Sequence, residues 1–423
     1  MSQVAKICLI LLFLLLEYSY SQKEVNYDES KVPKYKLPEI LLTNSGERVT
    51  TLLEWENIRR PEILSLFEEN VYGKTPELDL EVNYKIIKVV KDALNGKAIL
   101  KELSVLFTDS ENQLEMNILI FLPHNRNGSS PIFLGLNFYG NHTIHNDTNI
   151  TITNSWVRNN DDFGIQNNLA NAKSRGVRIT RWPVDRIIDR GYGIATIYYG
   201  DIDPDFDDGF SNGVHKFDRK SEKNERNYWG SIGAWAWGLS RAMDYFETDD
   251  NIDHNHVILL GHSRLGKTAL WAGAQDERFA AVISNNSGCG GAALSKRTFG
   301  ETVGIINSNF PHWFCKNFKI YNDNEKDLPV DQHMLLSLIA PRPLYVASAE
   351  EDQWADPTGE FLSLKYSLEA YNLGQTKKVV FDNKPQINSP IIIDKIGYHI
   401  RSGKHDVTLY DWECFMDFAE KIE

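Results

Sequence analysis

The stretch Val257-Ile258-Leu259-Leu260-Gly261-His262-Ser263-Arg264-Leu265-Gly266-Lys267 decides the reading of this chain. An apolar run stops at a glycine and a serine, and a segment of helical character follows from Lys267 to Ala274. A strand, a tight turn that exposes one hydroxyl, and a helix whose first N–H groups face the same spot make a nucleophile elbow. The pattern departs from Gly-x-Ser-x-Gly: the second glycine comes one place late, at Gly266, and an arginine directly follows the serine.

Outward from the elbow, the chain alternates strands and helices. Ala98 to Phe107 and Leu114 to Leu122 alternate as antiparallel strands joined by the polar turn Thr108 to Asn112. Ile132 to Asn137 and Tyr192 to Tyr199 suit buried strands, as do Phe279 to Ser284 and Leu344 to Ala349. Pro61 to Tyr72 reads as a short helix. Ile232, Trp235, Leu239, Ala242 and Phe246 recur at helical spacing, and Gly359 to Tyr371 and Leu409 to Ile422 are further helices. The expected fold is therefore α/β, a three-layer αβα sandwich around a mainly parallel twisted sheet. Asn141 to Asp161, and Asp201 to Asn227 with its acidic run Asp203 to Asp208, are long loops of the kind that rim functional sites.

The 423 residues carry 58 acids and 45 bases, a net charge of −13, which argues against nucleic acid as a partner. Lys6 precedes the apolar block Ile7 to Leu16 and a small-residue exit near Ser21, so residues 1–21 read as a signal peptide. The block is too short to span a bilayer. The expectation is an exported protein, secreted or periplasmic, monomeric, with no membrane partner and one catalytic domain over residues 22–423. Beyond Cys8 in the leader remain Cys289, Cys315 and Cys414. An odd count in an oxidising compartment suggests one bridge and one buried thiol. Cys289 and Cys315 flank one loop region and are the favoured pair. No ligand spacing argues for a metal, and no cofactor is expected.

A serine hydroxyl needs a base to take its proton, and that base is usually a histidine oriented by a carboxylate. In α/β-hydrolases the chain order is serine, acid, histidine. Past the strand Leu344–Ala349, Asp352 is best placed as the acid, with Asp356 and Glu351 behind it. For the base, His399 continues an apolar strand-like run, whereas His405 sits in a glycine-containing loop before the last helix and is favoured. A lone serine before a helix is often only an N-cap. The joint order of elbow, acid and histidine argues for chemistry. Arg264 places a backbone N–H and a permanent charge where an oxyanion would form. Lys267 lies one helical turn past Ser263. The competing reading has both cations paired with surface acids.

These residues resemble a known family. Residues 261–274 are similar to the nucleophile motif of the glucuronoyl esterases, carbohydrate esterase family 15, bacterial branch. So are the stretches at 136–143, 287–292, 310–315, 354–357 and 397–412. The likeness runs from about residue 30 to the end. It implies a metal-independent serine esterase acting on 4-O-methyl-glucuronoyl esters that link xylan to lignin alcohols. By the same resemblance Ser263 is the nucleophile, His405 the acid and base, and Arg264 part of the oxyanion hole. Lys267, Glu301 and Trp354 match sugar-holding positions, and Cys289 and Cys315 match a family disulfide. One departure stands out. Many members carry the triad acid as a glutamate where this chain has Asn286, so the acid here should be Asp352, and Asn286→Asp should change turnover little or raise it. Two other readings use the same residues: a broader carbohydrate esterase of acetyl-xylan type, and a degenerate hydrolase that only binds acidic glycans, the latter motivated by Asn286, Trp156, Trp182 and Trp354.

Overall fold

Among the residues described by the computed structural model (25–124, 128–218, 223 and 225–422), ten strands form one sheet. They are β1 (Glu81–Asp92), β2 (Ala98–Thr108), β3 (Gln113–Pro123), β4 (Ser130–Asn137), β5 (Gly193–Tyr198), β6 (Ile252–His262), β7 (Ala281–Asn285), β8 (Leu344–Ala349), β9 (Ile391–Ile393) and β10 (Ile396–Arg401). Their order is β1-β2-β3-β5-β4-β6-β7-β8-β10-β9. The pairs from β5 through β4, β6, β7 and β8 to β10 are parallel, and the outer pairs are antiparallel. The proposed leader, residues 1–21, lies outside the described residues.

The main helices are α1 (Arg60–Phe67), α2 (Val184–Asp189), α3 (Ser231–Phe246), α4 (Arg264–Gln275), α5 (Gln332–Ser337), α6 (Pro357–Tyr371) and α7 (Leu409–Ile422). Side chains of a strand alternate between faces, and β6 shows how the layers divide. Val257 and Leu259 pack in one core with Trp235 and Leu239 of α3, Leu265 and Trp271 of α4, and Leu364 of α6. Ile258 and Leu260 pack in a second core with Ile187 of α2 and Trp412, Phe415 and Phe418 of α7. The sheet is thus covered on both faces, the arrangement of an α/β-hydrolase.

The long strand β1 has no counterpart in the sequence reading. Its apolar side chains are largely outside the core, with Ile86 55% exposed, and the alternation of Val82, Tyr84 and Ile86 with Glu81, Asn83 and Lys85 breaks at the doublets Ile86-Ile87 and Val89-Val90. Lys85, Lys88 and Lys91 blunt this free edge against pairing with other chains. The helix expected over Pro61 to Tyr72 is α1, which continues beyond Phe67 as a wider π-helical segment to Tyr72.

The disulfide expectation is corrected. Cys289, Cys315 and Cys414 are buried free thiols. Cys315 turns its Sγ to the Glu69 carbonyl at 3.8 Å, whereas Cys289 is buried at the turn after β7, where Glu301 and Lys267 act on it. Burial pushes the Cys315 thiol up to about 11 and the Cys289 thiol well above its usual range, so both are held as neutral, unreactive groups.

Candidate active site

Parallel pairing brings several strand ends to one edge. His262 pairs with Asn285 across β6 and β7, Asn285 with Ala347 across β7 and β8, and Ala349 with Arg401 across β8 and β10. The loops that leave these ends carry Ser263, Asn286, Asp352 and His405, so residues up to 142 positions apart in sequence share one rim. Ligands of open α/β sheets bind beyond such carboxyl ends.

Ser263 sits between β6 and α4 at φ 59°, ψ −131°, a conformation that L-residues rarely hold. Its side chain makes no capping bond to the helix, so the N-cap alternative does not describe it. The turn is held from outside: Ser263 N–H donates to the Asn285 carbonyl at 2.9 Å, and its own carbonyl accepts from Gly266 (2.9 Å) and Lys267 (3.2 Å). Both glycines are required by close approach. A Cβ at Gly261 would lie 1.9 Å from the Leu265 carbonyl oxygen, and one at Gly266 would lie 3.0 Å from the Ser287 Cβ. The late glycine is where α4 crosses the turn after β7.

His405 Nδ1 lies 2.6 Å from Asp352 Oδ2. The Asn286 amide donates to the same carboxylate oxygen at 2.9 Å. Burial works against the Asp352 charge, but the His405 bond and charge, with the Asn286 bond, hold the carboxyl below its ordinary range. The imidazole is 40% exposed and the carboxylate 5%. The His262 ring lies tilted against that of His405, with centroids 4.5 Å apart, and its Nδ1 is 2.8 Å from Asn285 Oδ1. Burial keeps His262 well below the usual histidine range, hence neutral.

The other carboxylates considered from sequence are otherwise employed. Asp356 binds Arg297 at 2.7 Å and caps α6, and Glu351 is exposed. His399, set aside from sequence, is fully buried against Asp411 at 2.8 Å.

Arg264 does not pair with a surface acid. Its NH1 binds Asp205, a carboxylate with no exposed side-chain surface. Asp205 also accepts from His312 Nε2 (3.0 Å), Trp313 Nε1 (2.8 Å), Tyr199 (2.9 Å) and Arg158 (3.1 Å). Burial opposes its charge, but the His312 and Trp313 bonds and the Arg264 charge hold it well below the carboxylate range. The guanidinium lies 4.5 Å from the Trp313 ring centroid and 5.1 Å from that of Phe310, within cation–π range. Its Nε is buried without a hydrogen-bond partner among the described residues. The sequence marks the loop carrying Asp205 as a functional rim but does not single this residue out from its acidic run, Asp203 to Asp208. Its long-range contacts with Arg264, His312 and Trp313 distinguish it.

Lys267, Glu301 and Trp354 do come together. Lys267 Nζ donates to the Ser287 carbonyl and lies 3.8 Å from Glu301 Oε2, and Glu301 N–H donates to the Trp354 carbonyl at 2.9 Å. Burial raises the Glu301 carboxyl against the Lys267 charge. Trp354 is 38% exposed, an apolar face beside two polar groups.

Comparison with known proteins agrees with this arrangement. A family model described as glucuronyl esterase, fungi, matches residues 192–374. Carbohydrate esterase MZ0003, from an unknown prokaryotic organism, is 52% identical over 397 residues, spanning 93% of this chain and 91% of that protein. A 4-O-methyl-glucuronoyl methylesterase of Podospora anserina is 36% identical over 176 residues, 38% of this chain and 36% of its own length. Among solved structures, a promiscuous CE15 esterase from a marine bacterial metagenome shares 51% identity with a TM-score of 0.88, covering 94% of this chain and all of that one. A glucuronoyl esterase from Solibacter usitatus shares 46% with a TM-score of 0.87, covering 93% and 99%. Identity of this order across nearly the whole length of both chains places the protein: it belongs to carbohydrate esterase family 15, the glucuronoyl esterases, and is a carboxylic ester hydrolase of the α/β-hydrolase fold.

Proposed function

We propose that the protein is an exported serine esterase that hydrolyses 4-O-methyl-glucuronoyl esters joining xylan to lignin alcohols. The observation that carries the mechanism is the 2.6 Å contact between His405 Nδ1 and the buried Asp352 carboxylate, beside the strained elbow at Ser263. His405 takes the Ser263 proton as Oγ attacks the uronate carbonyl. Asp352 fixes the imidazole tautomer and stabilises the imidazolium. The Arg264 backbone N–H and the charge of its partly exposed guanidinium stabilise the developing oxyanion, a contribution of about 10²–10³ in rate for one such donor. His405 returns the proton to the leaving alcohol. Water, activated by the same imidazole, then hydrolyses the acyl-enzyme. Lys267 and Glu301 bind the sugar hydroxyls, and Trp354 offers its ring to the sugar. Export rests on the leader-like residues 1–21.

Purified protein should release benzyl alcohol from benzyl glucuronate, and Ser263→Ala should abolish release. Turnover of acetylated xylan without turnover of uronate esters would overturn the substrate class. A second reading, a broader ester range, is favoured by the solved relative described as promiscuous. Rates on acetyl and glucuronoyl esters measured side by side separate the two.

A further inference from the structure

The loop bearing His405 is held from beneath by one buried side chain. Arg401, the last residue of β10, is 4% exposed. Its NH1 donates to the Ser402 carbonyl at 3.0 Å, and its NH2 to the carbonyls of Lys404 (2.9 Å) and Asp406 (2.7 Å). The last two flank His405 in sequence, so the guanidinium clamps the backbone on both sides of the imidazole. Its Nε donates to Asp411 Oδ2 at 2.8 Å and Oδ1 at 3.1 Å. A planar fork of five N–H donors can serve three carbonyls and a carboxylate at once, more partners than the three donors of an ammonium can each satisfy.

Asp411 extends the connection to the elbow. It is completely buried and accepts from His399 Nε2 (2.8 Å), from Thr408 N–H and O–H (2.7 Å each) and from the Asn285 amide at 3.4 Å. The Asn285 carbonyl in turn accepts the Ser263 N–H, and its Oδ1 meets His262, whose ring lies against that of His405. One buried network therefore touches the nucleophile turn and the histidine loop at the same time.

We propose that Arg401, braced by Asp411, is a positioning residue that sets the His405 imidazole relative to Ser263 through the backbone on either side of it. This rests on the reading of Ser263 and His405 as nucleophile and base. Arg401 touches neither, and no proton passes through it. A displacement near 1 Å at a catalytic group lowers rate by about 10²-fold, so the clamp matters for chemistry well before the fold gives way.

The test compares wild type with Arg401→Lys and Arg401→Gln by kcat and KM on benzyl glucuronate, by the labelling rate of Ser263 with a fluorophosphonate, and by thermal melting. Expected for folded Arg401→Lys is a fall in kcat of about 10- to 100-fold, KM within about twofold, and labelling slowed in parallel. Arg401→Gln should lose more, and millimolar methylguanidinium should restore part of it. Folded Arg401→Lys with kcat and labelling within about twofold of wild type would reduce Arg401 to a structural brace and overturn the proposal. Should the Arg401 variants not fold, Asp411→Asn carries the same readouts, with unchanged kcat the overturning result. Absence of labelling in wild type, with esterase activity retained in Ser263→Ala, would instead strike the nucleophile reading.

Discussion

Two histidine–carboxylate pairs lie some distance apart at the same end of the sheet, and they differ in almost everything but the bond. His405 meets Asp352 at 2.6 Å and His399 meets Asp411 at 2.8 Å. In the second pair both side chains are wholly buried, and the other imidazole nitrogen is taken up by the Tyr345 hydroxyl at 2.9 Å. In the first the carboxylate is buried but the imidazole is 40% exposed. A short His–Asp distance therefore does not mark a catalytic pair. What distinguishes one is a ring that substrate can reach and a neighbouring nucleophile.

The contrast can be broken most severely at the two acids. Asp352→Asn should lower kcat by about 10⁴-fold, because the amide no longer fixes the tautomer, while thermal unfolding changes little. Asp411→Asn should act in the opposite proportion, costing about 3–5 kcal/mol of stability by leaving the Arg401 charge buried without its counter-ion, with a smaller fall in kcat. Esterase assays and denaturant unfolding on both variants check this. A larger kcat loss in folded Asp411→Asn than in Asp352→Asn would reverse the roles.

Asn286→Asp sharpens the comparison further. The sequence suggests a restored acid and unchanged or higher turnover. The structure argues otherwise, since the Asn286 amide is a donor to Asp352 Oδ2. A carboxylate there sets like charges in contact and raises the apparent pKa of the pair. Turnover near neutral pH should fall by about tenfold, roughly the 1.4 kcal/mol of a lost charged hydrogen bond, and the acid limb of the pH–rate profile should move upward. A rate equal to wild type would show that Asn286 is not needed by Asp352.

The smallest effect concerns Glu360, a third buried carboxyl close to the first pair. It accepts from Gly288 N–H at 3.0 Å and lies 2.6 Å from the Ser348 hydroxyl. Burial pushes it up to about 8. Between its unfolded value near 4.3 and about 8 the folded state holds a proton that the unfolded state has released, so its contribution is full below that range and is lost as pH rises through it. Glu360→Gln keeps the bonds without the titration. Its Tm should decline less than that of wild type between pH 5 and pH 8, and parallel declines would refute the assignment.

Much of this was legible in the chain. The elbow is visible because burial on both faces makes Val257 to Leu260 continuously apolar and close approach demands Gly261 and Gly266. The contact between Asp352 and His405 could be anticipated because strand ends precede both by a few residues. Strand β1 was missed because its alternation over Val82 to Ile86 breaks at Ile87, where the register with β2 shifts. Asp205, Arg401 and Asp411 were illegible for another reason: their meaning lies in contacts formed only on folding, which a charged residue in a loop, at a strand end or at a helix start does not announce. The cysteine pairing failed because spacing along the chain says nothing of where two thiols point.

The backbone at Ser263 has a consequence for the chain's evolution as well as its chemistry. A residue held at φ 59° and ψ −131° is tolerated only because its neighbours leave no other path. Glycine would relax there, and the variant Ser263→Gly should gain about 1 kcal/mol of unfolding free energy, with no esterase activity. On the proposed reading of Ser263 as nucleophile, the serine is kept against a standing thermodynamic preference for glycine, so drift toward an inert but sturdier protein is downhill in stability and is opposed only by selection for turnover.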